Sequence, residues 1–414
     1  MSLPIETNVL AIDGGVPEIA VTPGDLTGRW GEAERLQVES ALRQDSLFYW
    51  RGPQTALLID RFRRHYPMEH VMPCSSGTAA LHIAVAAAGI KPGDEVIVPP
   101  ITDMGSVIGI LFQQAVPVFA DVEPHSYNLD PVDVRRKITS KTKAILTVHL
   151  AGNACRVEEL RVLADELGLV LIEDCAQAWG TMTRGRPAGT IGHIGCFSFN
   201  DFKHLSCGDG GIVASSDPIF GARLQGFADK GYNRATSSKS PSVLATNYRI
   251  TELQCAVAAA QIERMDMIAR RRHELGTRLG ELLRDIPGIH PPEVATDSFC
   301  TYWFYLLRFD EAVMNCGRTQ FVKALQAEGA DAHEGYLASP LYKYDVFRNH
   351  SFFAGEWPLR TSGMTEMNYR DVYCPNAEAV LQTCIFVKLH EQMEDEYIEG
   401  LGRAFRKVAA HFVK

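Results

Sequence analysis

Apolar and polar positions alternate along the chain in blocks that predict a layered α/β domain. Between residues 70 and 175, runs that are apolar nearly throughout predict strands, namely "HVMPC", "DEVIVPP", "VPVFADV", "KAILTVHL" and "LVLIEDC". Helical patterns separate them, as in "GTAALHIAVAAAG", "VIGILFQQ" and "VEELRVLADELG". Apolar strands with helices between them indicate a mostly parallel sheet that is covered on both faces. Ligands of such sheets bind at the carboxyl ends of the strands.

The segments that flank this alternation predict further elements. Residues 30–62 suggest two short helices separated by "SLFYWRGPQT", whose Gly-Pro pair breaks regular structure, and a helix is expected near 218–228. Residues 250–288 predict one long helix with leucines on one stripe. The remainder is typical of a small α+β domain, and it contains "YWFYLLRF", a helix around "RTQFVKALQAEG" and a terminal helix after His390. We predict an N-terminal arm (1–30), a large domain (31–265) and a small C-terminal domain (266–414).

Composition narrows the classes of function. The 414 residues are 46% hydrophobic and 22% charged, as in an ordinary globular protein, and the net charge of -9 gives no support for binding nucleic acid or an anionic membrane. The ten cysteines are scattered without close CxxC pairs, so we expect buried, reduced thiols in a cytoplasmic protein and no metal. The first residues lack the pattern of a signal peptide, and no apolar run reaches the roughly 18 residues of a membrane-spanning helix.

The first candidate site is the stretch "CSSGTAALHIAVAAAG". A predicted strand ends near Pro73, residues 75–78 form a small polar turn that includes Gly77 and Thr78, and a helix follows. Such a turn presents N–H groups and hydroxyls to an anion at the positive end of a helix. An ordinary Ser/Thr helix cap is the alternative. The stretch is not a Walker P-loop, because no lysine follows the glycine.

Two carboxylates, Glu173 and Asp174, close the strand in "LVLIEDCAQA". Their position predicts that at least one of them lies at the functional edge of the sheet. There a carboxylate serves as a metal ligand, as a base or as the partner of a cationic ligand nitrogen. A metal would need further ligands, and the sequence has no obvious cluster of them. The alternative is a helix N-cap by Asp174.

The third candidate is Lys203 in "FSFNDFKHLSCGDGG". A lysine reacts with carbonyls to form a Schiff base when its surroundings lower its pKa or when a cofactor aldehyde is present. The alternative is a solvated surface lysine, because most lysines are exposed. Taken together, the three candidates offer an amine for an aldehyde, a helix start for a phosphate and Asp174 for a ring nitrogen. Pyridoxal 5'-phosphate (PLP) carries all three groups.

Over nearly its whole length the chain resembles the DegT-like family of sugar and cyclitol aminotransferases, which belong to fold type I of the PLP enzymes. The resemblance implies a large domain with a mostly parallel sheet between helices and a small C-terminal α+β domain. Seven segments carry it: "SSGTAALHIAVAAAGIKPGDEVIVPP", "VPVFADVEPHSYNLDP", "VHLAGNACRVEEL", "LIEDCAQAWG", "GTIGHIGCFSFNDFKHLSCGDGGIV", "NYRITELQCAVAAAQIERMD" and "YCPNAEAV".

The resemblance assigns roles residue by residue. It implies that Lys203 forms the Schiff base, that Asp174 faces the pyridine nitrogen and that Gln177 contacts the O3' side of the cofactor. Ser198 resembles the serine that binds the phosphate, together with Gly77 and Thr78. Asn247, in "NYR", resembles the asparagine that reaches the phosphate of the neighbouring subunit, which implies a homodimer with shared active sites.

The chain departs from the family pattern at one position. Family members have an aromatic residue after the threonine of the "PxxT" segment, where it stacks on the cofactor ring, whereas "PPITDMGS" has Asp103 there. Met104 or another residue covers the ring, or the segment is shifted. Asp103 is therefore a candidate for contacting substrate.

The reaction type follows from the residue at position 203. A branch of the family replaces the lysine with histidine and dehydrates sugars, whereas Lys203 favours transamination because an amine both holds the cofactor and moves the α-proton. We expect glutamate or glutamine as the amino donor and a keto-sugar or keto-cyclitol as the acceptor, in a secondary-metabolite or sugar pathway such as antibiotic biosynthesis. The alternatives are a PLP-dependent sugar dehydratase, another non-transaminating PLP enzyme, and a regulator that binds the cofactor without turnover.

Two segments supply candidates for contacting substrate. The opening "NVLAIDGGVPEI" resembles that of family members that act on cyclitols or make aminohydroxybenzoate. Tyr49, Trp50 and Arg51 lie in an aromatic-rich loop, and the alternative for that loop is that its aromatics pack the N-terminal segment. His333 and Tyr336 lie where the substrate-facing loop of the family falls, and the alternative is that they are surface residues.

Overall fold

A seven-stranded sheet forms the centre of the large domain. The computed structural model describes residues 9–414 except 22, 25, 27 and 237, so the predicted arm (1–30) lies partly outside the described residues. The strand order is β1-β9-β8-β5-β4-β2-β3, in which only β9 runs antiparallel to its neighbours. The strands are β1 (His70–Cys74), β2 (Glu95–Val98), β3 (Val116–Phe119), β4 (Thr142–Val148), β5 (Val170–Asp174), β6 (Met182–Thr183), β7 (Arg186–Pro187), β8 (Ile194–Ser198) and β9 (Gly211–Ser215). β6 and β7 belong to a separate small sheet. The mostly parallel sheet between helices confirms the predicted α/β class.

The helices of this domain begin at local signals that the sequence displays. Pro53 occupies the first turn of α2, and Asp217 caps α7 by accepting the N–H of Ile219 at 2.7 Å. The helices are α1 (Glu32–Leu42), α2 (Pro53–His65), α3 (Gly77–Ala87), α4 (Gly105–Phe112), α5 (Pro131–Lys137), α6 (Val157–Leu167), α7 (Pro218–Ala228), α8 (Glu252–Ile262) and α9 (Met265–Leu283).

Strand pairing brings separate segments to one edge of the sheet. Gly211, at the start of β9, pairs with both Cys74 at the end of β1 and Ser198 at the end of β8. In the parallel part of the sheet, Asp174 at the end of β5 pairs with Val148 and with Cys196. The turn after β1 and the ends of β5 and β8 therefore meet at the carboxyl edge.

A second, antiparallel sheet organises the C-terminal part of the chain. Its four strands have the order β10-β12-β14-β13, and β11 joins β6 and β7 in a three-stranded sheet. The hydrophobic core beside the four-stranded sheet includes Leu10 and Ile19. Buried residues between 341 and 384 pack instead into the core around the seven-stranded sheet. The predicted domain boundaries stay a prediction. The elements are β10 (Ile289–His290), β11 (Ser298–Phe299), β12 (Tyr305–Phe309), α10 (Arg318–Ala327), β13 (Ala332–Glu334), α11 (Asp345–Arg348), α12 (Pro358–Thr361), α13 (Pro375–Thr383), β14 (Cys384–Val387) and α14 (Asp395–Phe412).

The prediction of one long helix over residues 250–288 is wrong in one respect, because the segment forms two helices. α8 ends at Ile262 and α9 begins at Met265. Arg264 between them leaves the helical conformation, with φ −99° and ψ 1°. Its guanidinium contacts the Glu34 carboxylate and donates to the carbonyl oxygen of Arg29 at 2.6 Å. The break is thus held by tertiary contacts.

The structure describes the state of the cysteines and the apolar character of the helices. All ten cysteines lie among the described residues, each is a free thiol, and only Cys207 is not buried. In the described part of the chain, no helix has the length and apolar character needed to cross a membrane.

Candidate active site

A cavity of about 330 Å³ lies at the carboxyl edge of the sheet. The turn after β1, the start of α4, the ends of β5 and β8 and the loop after β8 all contribute to its wall. Seven of the residues predicted from the sequence line it: Gly77, Thr78, Asp103, Asp174, Gln177, Ser198 and Lys203. The structure therefore brings the amine, the carboxylate and the helix start to one cavity.

The start of α3 forms one end of this cavity. Ser76 is the N-cap, and its hydroxyl accepts the N–H of Ala79 at 3.0 Å. Gly77 and Thr78 follow in the first turn, where N–H groups have no carbonyl partner within the helix. A Cβ atom on Gly77 would lie 2.7 Å from the Cβ of Ser198, so only glycine permits this close approach. N–H groups and hydroxyls thus converge where an anion is favoured.

Asp174 is fully enclosed. Its Oδ2 accepts a hydrogen bond from the Ser106 hydroxyl at 2.7 Å, and its Oδ1 accepts the N–H of Ala176 at 3.0 Å. Burial raises the pKa of Asp174, while these two hydrogen bonds and the nearby Lys203 oppose the rise. The carboxylate is oriented by two donors and retains acceptor capacity for a cationic group in the cavity.

Lys203 has a perturbed amine. Burial lowers the pKa of Lys203 to about 8, against the opposing charges of Asp174 and Asp103. Its Nζ lies 3.7 Å from the centre of the Trp303 ring. The loop that carries it is held from behind by Arg29, whose guanidinium donates to the carbonyl oxygens of Asp201, Lys203 and His204. A larger fraction of neutral, nucleophilic amine is therefore present near neutral pH than for an exposed lysine.

Comparison with known proteins identifies the family. The model of the DegT/DnrJ/EryC1/StrS aminotransferase family matches residues 29–406. The chain belongs to this family. It is accordingly a PLP-dependent aminotransferase.

Three relatives indicate the range within this aminotransferase family. The chain is 32% identical over 374 residues to the L-glutamine:2-deoxy-scyllo-inosose aminotransferase of Streptomyces kanamyceticus, which covers 82% of this chain and 84% of the relative. It is 38% identical over 257 residues to the GDP-perosamine synthase of Vibrio cholerae, covering 61% and 70%. The crystal structure of 3-amino-5-hydroxybenzoic acid synthase superposes with a TM-score of 0.82 at 25% identity, covering 96% of this chain and 100% of that one.

The cavity of this aminotransferase fits PLP by its chemistry. The glycine-lined approach of α3 to Ser198 suits the phosphate, which the Gly77 and Thr78 N–H groups and the Ser198 hydroxyl would hold. Asp174 would accept a hydrogen bond from the pyridine nitrogen, and Lys203 supplies the amine for the aldehyde. The three residue types at three places on one wall match the three functional groups of the cofactor.

Gln177 and Tyr336 form a second polar contact at the cavity. The side-chain oxygen of Gln177 accepts the N–H of Ala151 at 2.8 Å, and its nitrogen donates to the Tyr336 hydroxyl at 3.1 Å. Burial raises the pKa of Tyr336, so its hydroxyl keeps its proton. Tyr336 therefore lies next to a cavity-lining residue, which keeps it among the substrate candidates.

Asp103 is exposed at the rim of the cavity and accepts the N–H of Gly105 at 2.8 Å. Among the described residues that line the cavity, none has an aromatic ring, and its apolar side chains include Leu81 and Ala176. Met104 is not part of the lining. Within the described lining of this cavity, the place of the family's stacking aromatic residue is therefore not taken by an aromatic side chain.

Five other candidates do not line this cavity within a single chain. Tyr49, Trp50 and Arg51 line a separate cavity of about 360 Å³, and the buried Tyr49 hydroxyl donates to Asp229 at 2.7 Å. Of the other two, His333 is exposed and contacts Asp331 at 2.8 Å, and Asn247 is exposed. The roles of all five in binding stay predictions.

Glu173 performs a different task from its neighbour Asp174. Its carboxylate accepts the N–H groups of Gly189 at 2.7 Å and Ile191 at 2.8 Å, contacts that of Gly192, and lies 3.0 Å from Nε2 of the buried His149. Burial opposes its charge, but the hydrogen bonds from His149 and the loop outweigh it and lower the pKa of Glu173. Nδ1 of His149 accepts the N–H of Cys155 at 3.2 Å. A ligand atom of Cys175 lies within 4.8 Å of those of His149 and Glu173, and the contacts of Glu173 with Gly189, Ile191 and Gly192 fix the loop.

Three residues at the site were not singled out from the sequence. Ser106 lies in the first turn of α4 and donates its hydroxyl to Asp174, and Trp303 lies in the segment before β12. Arg29 lies in the arm that precedes α1. A hydroxyl in "PPITDMGS", close to Asp103, was the available signal for Ser106.

Proposed function

We propose that this aminotransferase transfers an amino group from glutamate or glutamine to the ketone of a sugar or cyclitol. The observation that carries the proposal is the shared cavity of Lys203, Asp174 and the start of α3. The relatives support the substrate class, because one is named for a cyclitol ketone with glutamine as donor and another for a GDP-linked amino sugar. We further propose that the acceptor belongs to a secondary-metabolite or sugar pathway.

The residues divide the work of the reaction. PLP supplies an electron sink for the pair of electrons left when a proton leaves the substrate carbon next to nitrogen. With PLP bound, Asp174, held by Ser106 and the Ala176 N–H, would stabilise a proton on the ring nitrogen. Lys203 would hold the aldehyde group of the cofactor and, as a free neutral amine, would accept the α-proton of the substrate and give it back. Burial helps, because its lowered pKa favours the neutral amine that accepts this proton.

The residue next to the lysine supports transamination over dehydration. His204 is buried and its Nε2 lies 3.2 Å from the carbonyl oxygen of Thr301. Burial lowers the pKa of His204 well below its usual value. His204 does not line the cavity, so Lys203 is the base positioned there.

The test follows the cofactor spectrum through both halves of the reaction. Protein reconstituted with PLP is mixed with glutamate, glutamine or alanine, and loss of the visible band shows which amine is a donor. The amine-loaded protein is then offered keto-cyclitols and nucleotide-linked keto-sugars, and return of the band identifies the acceptor class. A band that no amine changes would contradict transamination and favour a dehydratase or a cofactor-binding regulator.

We also propose a homodimer in which Asn247 reaches the phosphate of the partner's site. Asn247 is exposed, and the preceding loop exposes 99% of Leu244, an apolar surface that a second copy would cover. Mixing Lys203→Ala with Asn247→Ala protein tests this. If Asn247 acts across the interface, refolded mixtures contain hybrids with one intact site and regain activity that neither variant has. No regained activity would place Asn247 in its own chain's site or outside both.

A further inference from the structure

The free amine of Lys203 needs a defined resting place. If the proposed function holds, the amine is joined to the cofactor before each cycle and is released when the donor's nitrogen replaces it. It then has to stay near the substrate carbon, because it moves the α-proton. A lysine side chain has four rotatable bonds and loses much conformational freedom when it is confined. A feature that holds the free amine in the cavity would therefore help each turnover.

The Trp303 ring lies where it can hold the free amine of Lys203. The Nζ atom of Lys203 lies 3.7 Å from the centre of the ring, well inside the range of about 6 Å over which a cation is attracted to an aromatic face. Trp303 is not among the residues that line the cofactor cavity, so the contact leaves that cavity free. Lys203 itself lines the cavity, so its amine rests at the cavity wall on the side of the Trp303 ring.

The ring is fixed by its backbone and by its own N–H. The indole N–H donates to the carbonyl oxygen of Phe202 at 2.7 Å, which ties it to the loop that carries Lys203. The N–H of Trp303 donates to Ala151 at 2.9 Å, and its carbonyl oxygen accepts from the buried Arg272 at 3.1 Å. Four contacts, counting the amine, thus define one orientation.

The residue before Trp303 has an unfavourable backbone conformation. Tyr302 has φ 37°, in the left-handed region that non-glycine residues rarely adopt. Its ring occupies the space where Gly276 has no side chain, since a Cβ there would lie 2.3 Å from Tyr302 Cδ2. A Cβ on Gly152 would lie 2.8 Å from the Tyr302 nitrogen. Strain that persists between two glycines is typical of a position under functional constraint.

The charges around Lys203 explain why an aromatic face suits this role. The charges of Asp174 and Asp103 raise the pKa of Lys203, and burial lowers the pKa of His204, on the same loop, well below its usual value. Asp174 has to remain available for the cofactor, and a close ion pair with it would hold the amine too firmly. A π face attracts the ammonium more weakly than a carboxylate does. It does not attract the neutral amine in this way, so the neutral amine can leave the ring.

We propose that Trp303 is a positioning residue for transamination, whose indole face holds the released amine of Lys203 beside the substrate. The proposal rests on the role of Lys203 in the proposed function. Trp303 acts through that amine, because its indole N–H already donates to the Phe202 carbonyl oxygen.

The test measures the ionisation of Lys203 in protein without cofactor. Competitive labelling with acetic anhydride across a pH range, read by mass spectrometry of the Lys203 peptide, gives the midpoint for this amine. Trp303→Leu keeps an apolar side chain but removes the π face, so the ammonium loses stability. We expect its midpoint to fall, with the ratio of ammonium to amine reduced about three- to tenfold. Trp303→Phe keeps a smaller π face and should shift less.

The control is Phe202→Leu, which removes an aromatic side chain that is 74% exposed on the residue before the lysine. It should leave the midpoint unchanged. With PLP and donor present, Trp303→Leu should lower kcat and leave the KM of the donor near the wild-type value. Thermal unfolding checks that the variant folds, and Trp303→Met replaces it if it does not.

Two outcomes would overturn the proposal. An unchanged midpoint in the leucine or methionine variant would show that the ring does not hold the amine, and an equal shift in Phe202→Leu would assign the effect to the loop. A shifted midpoint in protein that binds PLP but transfers no amino group would support the contact and contradict the proposed function. The two failures are therefore distinguishable.

Discussion

Replacing Gly77 with alanine should weaken PLP binding more than it destabilises the fold. The new Cβ would lie 2.7 Å from Ser198 Cβ and 2.9 Å from Ser198 Oγ. Ordinary contact begins at 3.4 Å, so the new Cβ would be closer to the Ser198 Cβ than van der Waals contact allows. A serine Cβ is fixed to its strand and cannot move aside as a long side-chain end can. The start of α3 therefore has to retreat from Ser198.

Two opposing energies determine how much Gly77→Ala changes the stability of the fold. Overpacking of this kind costs about 1–3 kcal/mol, while alanine in place of glycine favours a helix by about 1 kcal/mol. The net loss of stability should thus not exceed about 2 kcal/mol. Displacement of the N–H groups weakens one charge-assisted hydrogen bond to the phosphate, worth about 1.5–3 kcal/mol. PLP affinity should fall about tenfold to a hundredfold.

The assay is a titration of cofactor-free protein with PLP, followed by visible absorption, alongside urea unfolding without cofactor. Gly226→Ala is the matched control, since this glycine also lies in a helix, α7, and nothing lies within 4 Å of its added Cβ. The control should bind PLP like wild type and unfold at slightly higher urea. Wild-type PLP affinity in Gly77→Ala would refute the assignment of the phosphate to the start of α3.

Three further substitutions separate the roles of the polar residues. Lys203→Ala should bind PLP without covalent attachment and transfer no amino group, as absorption and product analysis would show; retained turnover would contradict its role. Asp174→Asn should slow donor deprotonation in single-turnover kinetics by about a hundredfold, and an unchanged rate would contradict the pairing with the ring nitrogen. Glu173→Gln should lower the free energy of unfolding at pH 7 by about 3 kcal/mol, because a buried carboxylate with four donors is lost. Since the folded pKa of Glu173 is lowered, this difference is full above the unfolded value and disappears as pH falls through the folded one. Equal stability at both pH 7 and acid pH would show that the carboxylate does not fix the loop.

The elements that the sequence predicts well are those with strong local signals. The expected helix over 218–228 is α7, because an aspartate cap and a proline mark its start. The break between α8 and α9 has no glycine or proline, and it arises from the contacts of Arg264 with residues more than 200 positions earlier in the chain. Only the folded chain brings those partners together.

The same distinction holds in the site. Gly77, Asp174 and Ser198 lie at the ends of elements, where the parallel sheet places its ligand-binding residues, and they were predictable for that reason. Trp303 was not, because its direction depends on the left-handed backbone of Tyr302, and a tyrosine carries no sequence signal for such a conformation. Ser106 contacts Asp174 across 68 positions of sequence.

The two acids at the end of β5 make this strand unusually sensitive to a shift in alignment. Successive side chains of a strand point to opposite sides, so Glu173 fastens a loop while Asp174 enters the cavity. Deleting one residue between 170 and 172 would move Asp174 into the position of Glu173 and Cys175 into the position of Asp174. The cofactor would then face a thiol instead of a carboxylate, and a shorter acid would have to anchor the loop. The stability of the loop and the binding of the cofactor therefore both depend on the alignment of this strand. An insertion or deletion there should abolish the stable fold and the activity together.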